Sequence, residues 1–244
     1  MKSYSDYFKE VDQTPWGALF YKLLWYQLNP YVHKGSTILD FGSGFGKTAD
    51  HLAQVADVTA YEPDQEMLKI RYLSANYQQL SGDFTTFTNQ VKNKKFNLIL
   101  IHNVLEYVPD VEKTVSALIP FLERNGILSI VKHNQLGHVF SRAVLNNDPK
   151  NALLKYQGAV AKSKNFGSIN VYSNQQLIAI LKKNGLSIES IKGIRTVFGL
   201  SNNNQIKEEA SWQDNMFKLE LKIADDPIAK QVAFFNHVIA KKPD

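Results

Sequence analysis

The residues best suited to chemistry lie in one short turn, Asp40-Phe41-Gly42-Ser43-Gly44-Phe45-Gly46. Glycine has no Cβ, so three glycines at alternate positions allow tight left-handed backbone and let a ligand approach the chain closely. The spacing argues against two common uses of such loops. Gly46-Lys47-Thr48 resembles the end of a nucleotide-triphosphatase loop, but the glycine that motif needs upstream would fall on Phe41. The longer last gap of the nicotinamide fingerprint is also missing. A second candidate is Glu62, whose carboxylate can accept hydrogen bonds from both hydroxyls of a ribose when it closes the next strand. Its alternative role, a carboxylate at a helix start, is already filled by Asp64. Asp83, after Gly82, suits an adenine amino group or an Asx turn. His102 and Asn103 follow the fourth apolar run, and His102 reads equally as a site contact or a structural histidine.

These residues need a scaffold that brings strand ends together, and the chain between Ser36 and His133 alternates strand and helix signals as a parallel sheet covered by helices requires. Strands are expected at Thr37–Phe41, Val58–Tyr61, Gln79–Leu80, Phe96–Ile101 and Ile127–Val131. Helices are expected from Lys47 to Val55, from Pro63 to Tyr72, and from Pro109 to Gly126, the last with Val111, Val115, Leu118 and Leu122 at helical spacing. The alternation stops at His133, and residues 134–170 read as a helical or irregular insertion near the carboxyl ends of the strands. Ser173 can cap a helix through Lys183 that Gly185 terminates. Ile188–Phe198 and Phe234–Lys241 should be the sixth and seventh strands, with Leu200–Asp214 a long polar connection between them. The fold class is therefore α/β: a Rossmann-like, seven-stranded, mostly parallel sheet with helices on both faces. It forms one domain over residues 1–244, with a core at about 36–133 and 171–244 and a lid at 134–170.

Composition narrows the function classes. Hydrophobic residues make up 44% and charged residues 21% of the 244, as in an ordinary globular protein, and no apolar run approaches the length of a membrane span. Without cysteine, thiolate metal sites and cysteine nucleophiles are excluded, and a reducing, cytoplasmic setting is the expectation. The six histidines are scattered without metal-ligand spacing, so no metal is implied. Net charge is +5, and the excess sits in the second half: Met1–Leu122 holds 11 basic and 13 acidic residues, Glu123–Asp244 holds 17 and 10. Lys132, Arg142, Lys150, Lys155, Lys162 and Lys164 are opposed only by Asp148. That stretch suits an anionic partner such as RNA, or is simply a solvated lysine-rich loop.

The ensemble Ile38-Leu-Asp-Phe-Gly-Ser-Gly-Phe-Gly46, Glu62, Gly82-Asp83 and Leu100-Ile-His-Asn-Val-Leu-Glu-Tyr-Val108 resembles class I methyltransferases that use S-adenosylmethionine (AdoMet). A closer resemblance, to the bacterial tRNA 5-carboxymethoxyuridine methyltransferases, runs over Leu100–Asp110, Gly126–Val139, Gly193–Phe198 and Met216–Pro243. It implies AdoMet contacts at Gly42, Ser43, Glu62, Gly82, Asp83 and His102, with Asp40, Gly44 and Gly46 completing the loop. It also implies a methyl ester as product, made on the carboxylate of a wobble uridine in tRNA. One departure stands out. The family holds the AdoMet carboxylate with an arginine in the helix before the first strand, and the corresponding stretch Trp16–Tyr21 has none. Either another group takes over or the cofactor sits differently.

Methyl transfer is an in-line displacement, so the protein must chiefly align the groups and exclude water. An ionised carboxylate needs no general base, and an arginine to grip it is enough. Arg195, between Ile194 and Val197, is the candidate, its alternative being a salt bridge at a strand end. His133 and Asn134 are candidates to line the acceptor pocket, or to cap the fifth strand. Tyr107 could stack on a flipped base or belong to the core. Competing functions are a small-molecule O- or N-methyltransferase and a non-catalytic AdoMet-binding protein. The lack of an Asn-Pro-Pro-aromatic tetrapeptide after the fourth strand weighs against exocyclic amino acceptors.

Overall fold

A computed structural model describes residues 3–158, 162–163, 167–168 and 172–244. Among these, seven strands form one sheet: β1 (Thr37–Phe41), β2 (Asp57–Tyr61), β3 (Gln78–Leu80), β4 (Phe96–His102), β5 (Leu122–His133), β6 (Ser187–Ile194) and β7 (Phe235–Lys241). Their order is β3-β2-β1-β4-β5-β7-β6, parallel except for β7, which runs antiparallel to both β5 and β6. The order reverses between β1 and β4, which opens a crevice at the carboxyl ends of those two strands. Leu98 to Ile101 of β4 are fully buried because helices cover both faces there.

One face is covered by α2 (Pro15–Leu28), α3 (Lys47–Leu52) and α10 (Ala210–Ile223), the other by α5 (Phe84–Val91), α6 (Val111–Leu118) and α9 (Asn174–Lys183). Thr14 caps α2 and Pro15 occupies its first turn, where a missing N–H costs nothing. Leu19, Phe20, Leu23, Leu24 and Leu28 of α2 then pack on Leu98, Leu100 and Val131, and each fully buried leucine contributes about 2–3 kcal/mol. On the opposite face Phe87, Val91, Val115, Leu118, Leu177 and Leu181 close the second core. Ser173 caps α9 through a capping box with Gln176, and Gly185 follows it at φ 78. The amphipathic α1 (Tyr4–Gln13) folds over the glycine turn, with Phe8 edge-on to Phe45 at 5.2 Å and Tyr7 tilted against it at 5.6 Å. After β5 come α7 (Gln135–Val144), α8 (Pro149–Tyr156) and a short antiparallel strand pair, Lys162–Ser163 with Gly167–Ser168; residues 159–161, 164–166 and 169–171, Lys164 among them, lie outside the described residues.

Four sequence expectations need correction, each for a local reason. The helix after Glu62 is only Gln65–Leu68 (α4), because the chain leaves it so that the Tyr72 N–H can reach the Phe45 carbonyl at 2.8 Å. The helix from Asp110 ends at Leu118 and not at Gly126, because Pro120 opens a 3-10 turn over Ile119–Phe121; Gly126 lies inside β5, after Asn125 at φ 57. The sixth strand stops at Ile194 and not Phe198, since Arg195 takes φ 60. The connection expected over Leu200–Asp214 is largely the approach to α10, whose Trp212, Met216, Phe217 and Leu221 pack towards α2.

Candidate active site

The turn after β1 is shaped by its glycines: Gly42, Gly44 and Gly46 have φ 75, 56 and 73. A Cβ at Gly42 would lie 2.4 Å from Val104 Cγ2, whereas at Gly44 nothing comes nearer than Met67 Sδ at 3.9 Å. The N–H groups of Gly42 and Ser43 donate to the Tyr61 carbonyl at 2.8 and 2.9 Å, which ties the turn to the end of β2. Glu62 lies just beyond, buried. Its Oε2 accepts from Gly44 N at 2.8 Å and its Oε1 from Asp64 N at 2.9 Å. Each carboxylate oxygen has two lone pairs, so both keep accepting capacity for a ligand. Burial pushes the Glu62 carboxyl up, against the pull of those two N–H groups.

Asp40, at the end of β1, is buried, and burial together with the charge of Glu62 raises its carboxyl to about 7, while a backbone bond from Ala49 lowers it. A carboxyl raised in the folded state contributes stability at low pH that is lost as pH rises through the folded value. The expected result is that Asp40→Asn gains thermal stability over wild type, by an amount that grows between pH 5 and pH 8 to a few kcal/mol, since every tenfold change in an acid's ionisation equilibrium is worth about 1.4 kcal/mol. Melting curves of both proteins across that range test it; a gap independent of pH would show that Asp40 does not titrate there.

The carbonyl of Gly82, at φ 103, accepts from Tyr61 Oη at 3.0 Å, and exposed Asp83 caps α5 by accepting from Thr86 N at 2.7 Å, which holds its carboxyl below the usual range. His102 closes β4 with Nε2 at 2.8 Å from Ser129 Oγ and Nδ1 buried without a partner. Asn103 has φ 56 and a buried, unpartnered Oδ1, and Ser43 Oγ is likewise unpartnered. Tyr107 is half-buried in the turn after Val104. The glycine turn, Glu62 and three orphaned polar atoms therefore converge on the crevice beyond β1 and β4. Apart from the Ser43 hydroxyl, which can also donate, these side chains offer acceptors to a ligand rich in N–H and O–H groups.

Arg195 and His133 come together on a second wall. The Arg195 guanidinium is buried among four rings, at 5.1 Å from Trp16, 5.2 Å from Phe198, 4.9 Å from Phe234 and 5.9 Å from Phe235. Burial lowers it to about 10, opposed by the charge of Glu220. Its Nε has no hydrogen-bond partner. Glu220 itself is engaged elsewhere: its carboxylate accepts from the N–H groups of Thr196, Val197 and Phe198 at 2.7, 2.9 and 2.9 Å. That grip fixes the left-handed turn at Arg195. Removing it in Glu220→Ala orphans three backbone donors, two of them buried, with an expected loss of about 3–5 kcal/mol, readable as a lower denaturation midpoint; a change under about 1 kcal/mol would mean the turn holds without it.

His133 sits 4.9 Å from the Phe235 ring, and its Nδ1 is 2.7 Å from His138 Nε2. Burial, with the cations Lys132, Lys155 and Arg195, lowers His133 to about 4 and His138 well below the ordinary value, so both rings are neutral at pH 7. Asn134 has its amide committed elsewhere, donating to the carbonyls of Gln231 and Ala233 at 2.7 and 2.8 Å. Lys132 is buried: its ammonium donates to the His133 carbonyl and lies 4.8 Å over Tyr172, and burial lowers it to about 8 despite the opposing charge of Glu106. Arg142 pairs with Asp148 at 2.9 Å. These two therefore leave the free basic stretch read from the sequence. Although Trp16–Tyr21 lacks arginine, cations from elsewhere meet it: Arg195 over Trp16, and Lys47 Nζ 4.9 Å over Tyr21, with Asp12 at 2.8 Å. Gln27, Glu220 and His237 were not legible as site-supporting residues, since each acts on a partner distant in sequence. Among the described residues no group of three or more histidines, aspartates or glutamates could hold a metal, and no helix is long and apolar enough to cross a membrane.

A family model described as a methyltransferase domain matches residues 19–191. The ubiquinone biosynthesis O-methyltransferase of Pelagibacter ubique is 24% identical over 169 residues, 66% of this chain and 65% of that protein. The protein of the same name from Bartonella quintana is 28% identical over 112 residues, 44% and 45% of the two chains. The match thus spans roughly half to two thirds of these curated relatives. Among solved structures, plantazolicin methyltransferase BpumL, in complex with a monoazolic desmethylPZN analog and SAH, has a TM-score of 0.58 at 18% identity, covering 98% of this chain and 89% of that one. Magnesium protoporphyrin IX methyltransferase from Synechocystis PCC 6803, with bound SAH, has a TM-score of 0.56 at 14% identity, covering 92% and 82%. At these identities the likeness is one of fold.

Proposed function

The chain belongs to the methyltransferase-domain family, and from that premise we propose that it is an AdoMet-dependent methyltransferase that methylates an oxygen of an anionic acceptor, a carboxylate gripped by Arg195. The observation that carries this reading is the buried Arg195 guanidinium with an unpartnered Nε, while the carboxylate whose charge reaches it is occupied by three backbone N–H groups. A buried guanidinium with an unpaired donor is costly even with the charge of Glu220 nearby, and a bound carboxylate offers it both charge and a bidentate match.

When bound, AdoMet supplies an electrophilic methyl group on a sulfonium centre. The chain's residues hold and orient. Glu62 would accept from the ribose hydroxyls, Asp83 from the adenine amino group, and Gly42, Ser43, Gly44 and Gly46 would let the amino-acid tail lie against the backbone, with Asp40 beneath the turn. Arg195 would orient the acceptor carboxylate, and Trp16, Phe198, Phe234 and Phe235 would exclude water from it. His133 would line the same wall as a neutral ring, and Asn134 would pin the β7 approach behind it. No residue needs to remove a proton, because a carboxylate is ionised at neutral pH.

In its fuller form the acceptor is the carboxylate of a modified wobble uridine in tRNA. Two things support that form: the sequence resemblance over Leu100–Asp110 and Gly193–Phe198, and the basic second half, in which Lys150 remains exposed. A second reading, a small-molecule O-methyltransferase, is favoured by the curated relatives, which are named for O-methylation in ubiquinone biosynthesis. Transfer of labelled methyl from AdoMet separates them. The substrates are bulk tRNA from a strain lacking the gene and, in parallel, its small-molecule extract. A methyl ester on the wobble nucleoside establishes the tRNA form; label confined to the extract establishes the second reading. Incorporation into neither, despite AdoMet binding, would overturn both.

A further inference from the structure

A line of polar side chains, partly buried at His102 and buried from Ser129 to Gln27, crosses the sheet on the α2 face. His102 Nε2 lies 2.8 Å from Ser129 Oγ, Ser129 Oγ lies 2.7 Å from His237 Nε2, His237 Nδ1 lies 2.8 Å from Gln27 Oε1, and Gln27 Nε2 donates to the Gly193 carbonyl at 3.1 Å. The far end fixes every proton in the line. A backbone carbonyl only accepts, so Gln27 must turn its NH2 to Gly193 and its Oε1 to His237. His237 Nδ1 therefore carries the hydrogen. The ring is fully buried and neutral, its basicity driven down to about 3 by burial and the charge of Lys192, so its Nε2 is a bare acceptor. Ser129 must then donate to His237 and accept from His102, which leaves the hydrogen of His102 on Nε2. Burial and the neighbouring His237 keep His102 neutral as well.

We infer that Gln27, His237 and Ser129 are positioning residues that lock His102 in its Nε2–H tautomer and present the buried, unpartnered Nδ1 as a hydrogen-bond acceptor for an N–H or O–H group of a ligand in the crevice beyond β4. The inference rests on the AdoMet-dependent reading of that crevice but not on Arg195 or on the identity of the acceptor. It also carries a specificity: an acceptor nitrogen repels a carboxylate, so an acidic group is turned away from His102. With the ribose hydroxyls assigned to Glu62 and the adenine amino group to Asp83, two ligand groups with the required hydrogen remain, the α-ammonium of the methyl donor and a hydroxyl on the methyl acceptor.

Ring-nitrogen NMR of 15N-histidine-labelled full-length protein tests the lock directly, with His102→Gln to assign the signals. The expected spectrum has His102 as one neutral tautomer, protonated on Nε2; a tautomer mixture, or a proton on Nδ1, overturns the proposal. Ser129→Ala should release the lock and give a mixed His102 signal, an effect that mere packing would not produce. Calorimetry with S-adenosylhomocysteine and its analogue lacking the α-amino group then identifies the ligand group. A loss of at least tenfold in Ser129→Ala confined to S-adenosylhomocysteine assigns the donor's ammonium. Unchanged binding of both, with single-turnover methyl transfer slowed at least tenfold, assigns an acceptor hydroxyl. Unchanged binding and unchanged transfer overturn the role. Failure of all AdoMet binding in wild type, with the tautomer intact, would remove the cofactor reading and leave the lock standing.

Discussion

Glu62→Gln should weaken binding of S-adenosylhomocysteine by about 100-fold or more, measured by calorimetry. The carboxylate already holds Gly44 N and Asp64 N through separate oxygens and still has a lone pair on each. A ribose diol needs two acceptors side by side, and hydrogen bonds to a charged group are worth about 1.5–3 kcal/mol each. Glutamine keeps one acceptor and turns an NH2 group towards a backbone N–H that it cannot satisfy. The loss therefore has two sources, lost diol contacts and a loosened turn. An analogue without the 2′- and 3′-hydroxyls separates them: its affinity should hardly change on Glu62→Gln if the diol contact dominates. Equal losses for both ligands would sink the ribose assignment and leave Glu62 as a brace for the glycine turn. The pH dependence follows the same sign. Burial raises the Glu62 carboxyl, and the ionised form is the better acceptor, so wild-type affinity should fall as pH drops through the raised value, while Glu62→Gln should not follow it.

How legible all this was in the sequence depends on how far apart the interacting residues are. The first five strands follow from local apolar runs and their punctuation, and β1, β2 and β4 fall within a residue of the expected spans. The seven-stranded, mostly parallel sheet follows from their alternation. Glu62 and the three glycines stand out because one strand end and one turn determine their placement. The errors arose where a distant partner decides the local backbone. Nothing between Ile188 and Phe198 announces that Glu220 will capture three successive N–H groups and end β6 at Ile194. The spacing of Trp212, Met216, Phe217 and Leu221 was a usable signal for α10 that the polar residues before it masked. Likewise Lys132 counts as a surface charge in any linear tally. Only the fold shows it sunk beside Tyr172 under the influence of Glu106, whose own carboxyl burial raises to about 7.

Arg195→Met should lower kcat/KM for methyl transfer by about 10²–10³, the range seen when one preorganised donor to a reacting oxygen is removed, and it should leave the protein as stable as wild type or more so. The two expectations together are diagnostic. An arginine serving as a structural ion pair would cost stability when removed, because its buried partner would be left uncompensated. Here Glu220 keeps three backbone donors of its own when the guanidinium is removed, so its carboxylate stays hydrogen-bonded. The cage of Trp16, Phe198, Phe234 and Phe235 is apolar and receives a methionine side chain well. A marked drop in melting temperature with residual folded enzyme fully active would therefore refute the acceptor role. Arg195→Lys keeps the charge and loses the planar fork, so it should fall between the two if bidentate grip matters. Calorimetry on Arg195→Met adds the remaining distinction. Unchanged affinity for S-adenosylhomocysteine keeps Arg195 on the acceptor, whereas a matching loss of affinity would reassign it to the donor's own carboxylate. The cation held over Trp16 would then stand in, from the end of β6, for the arginine that the helix before β1 does not supply.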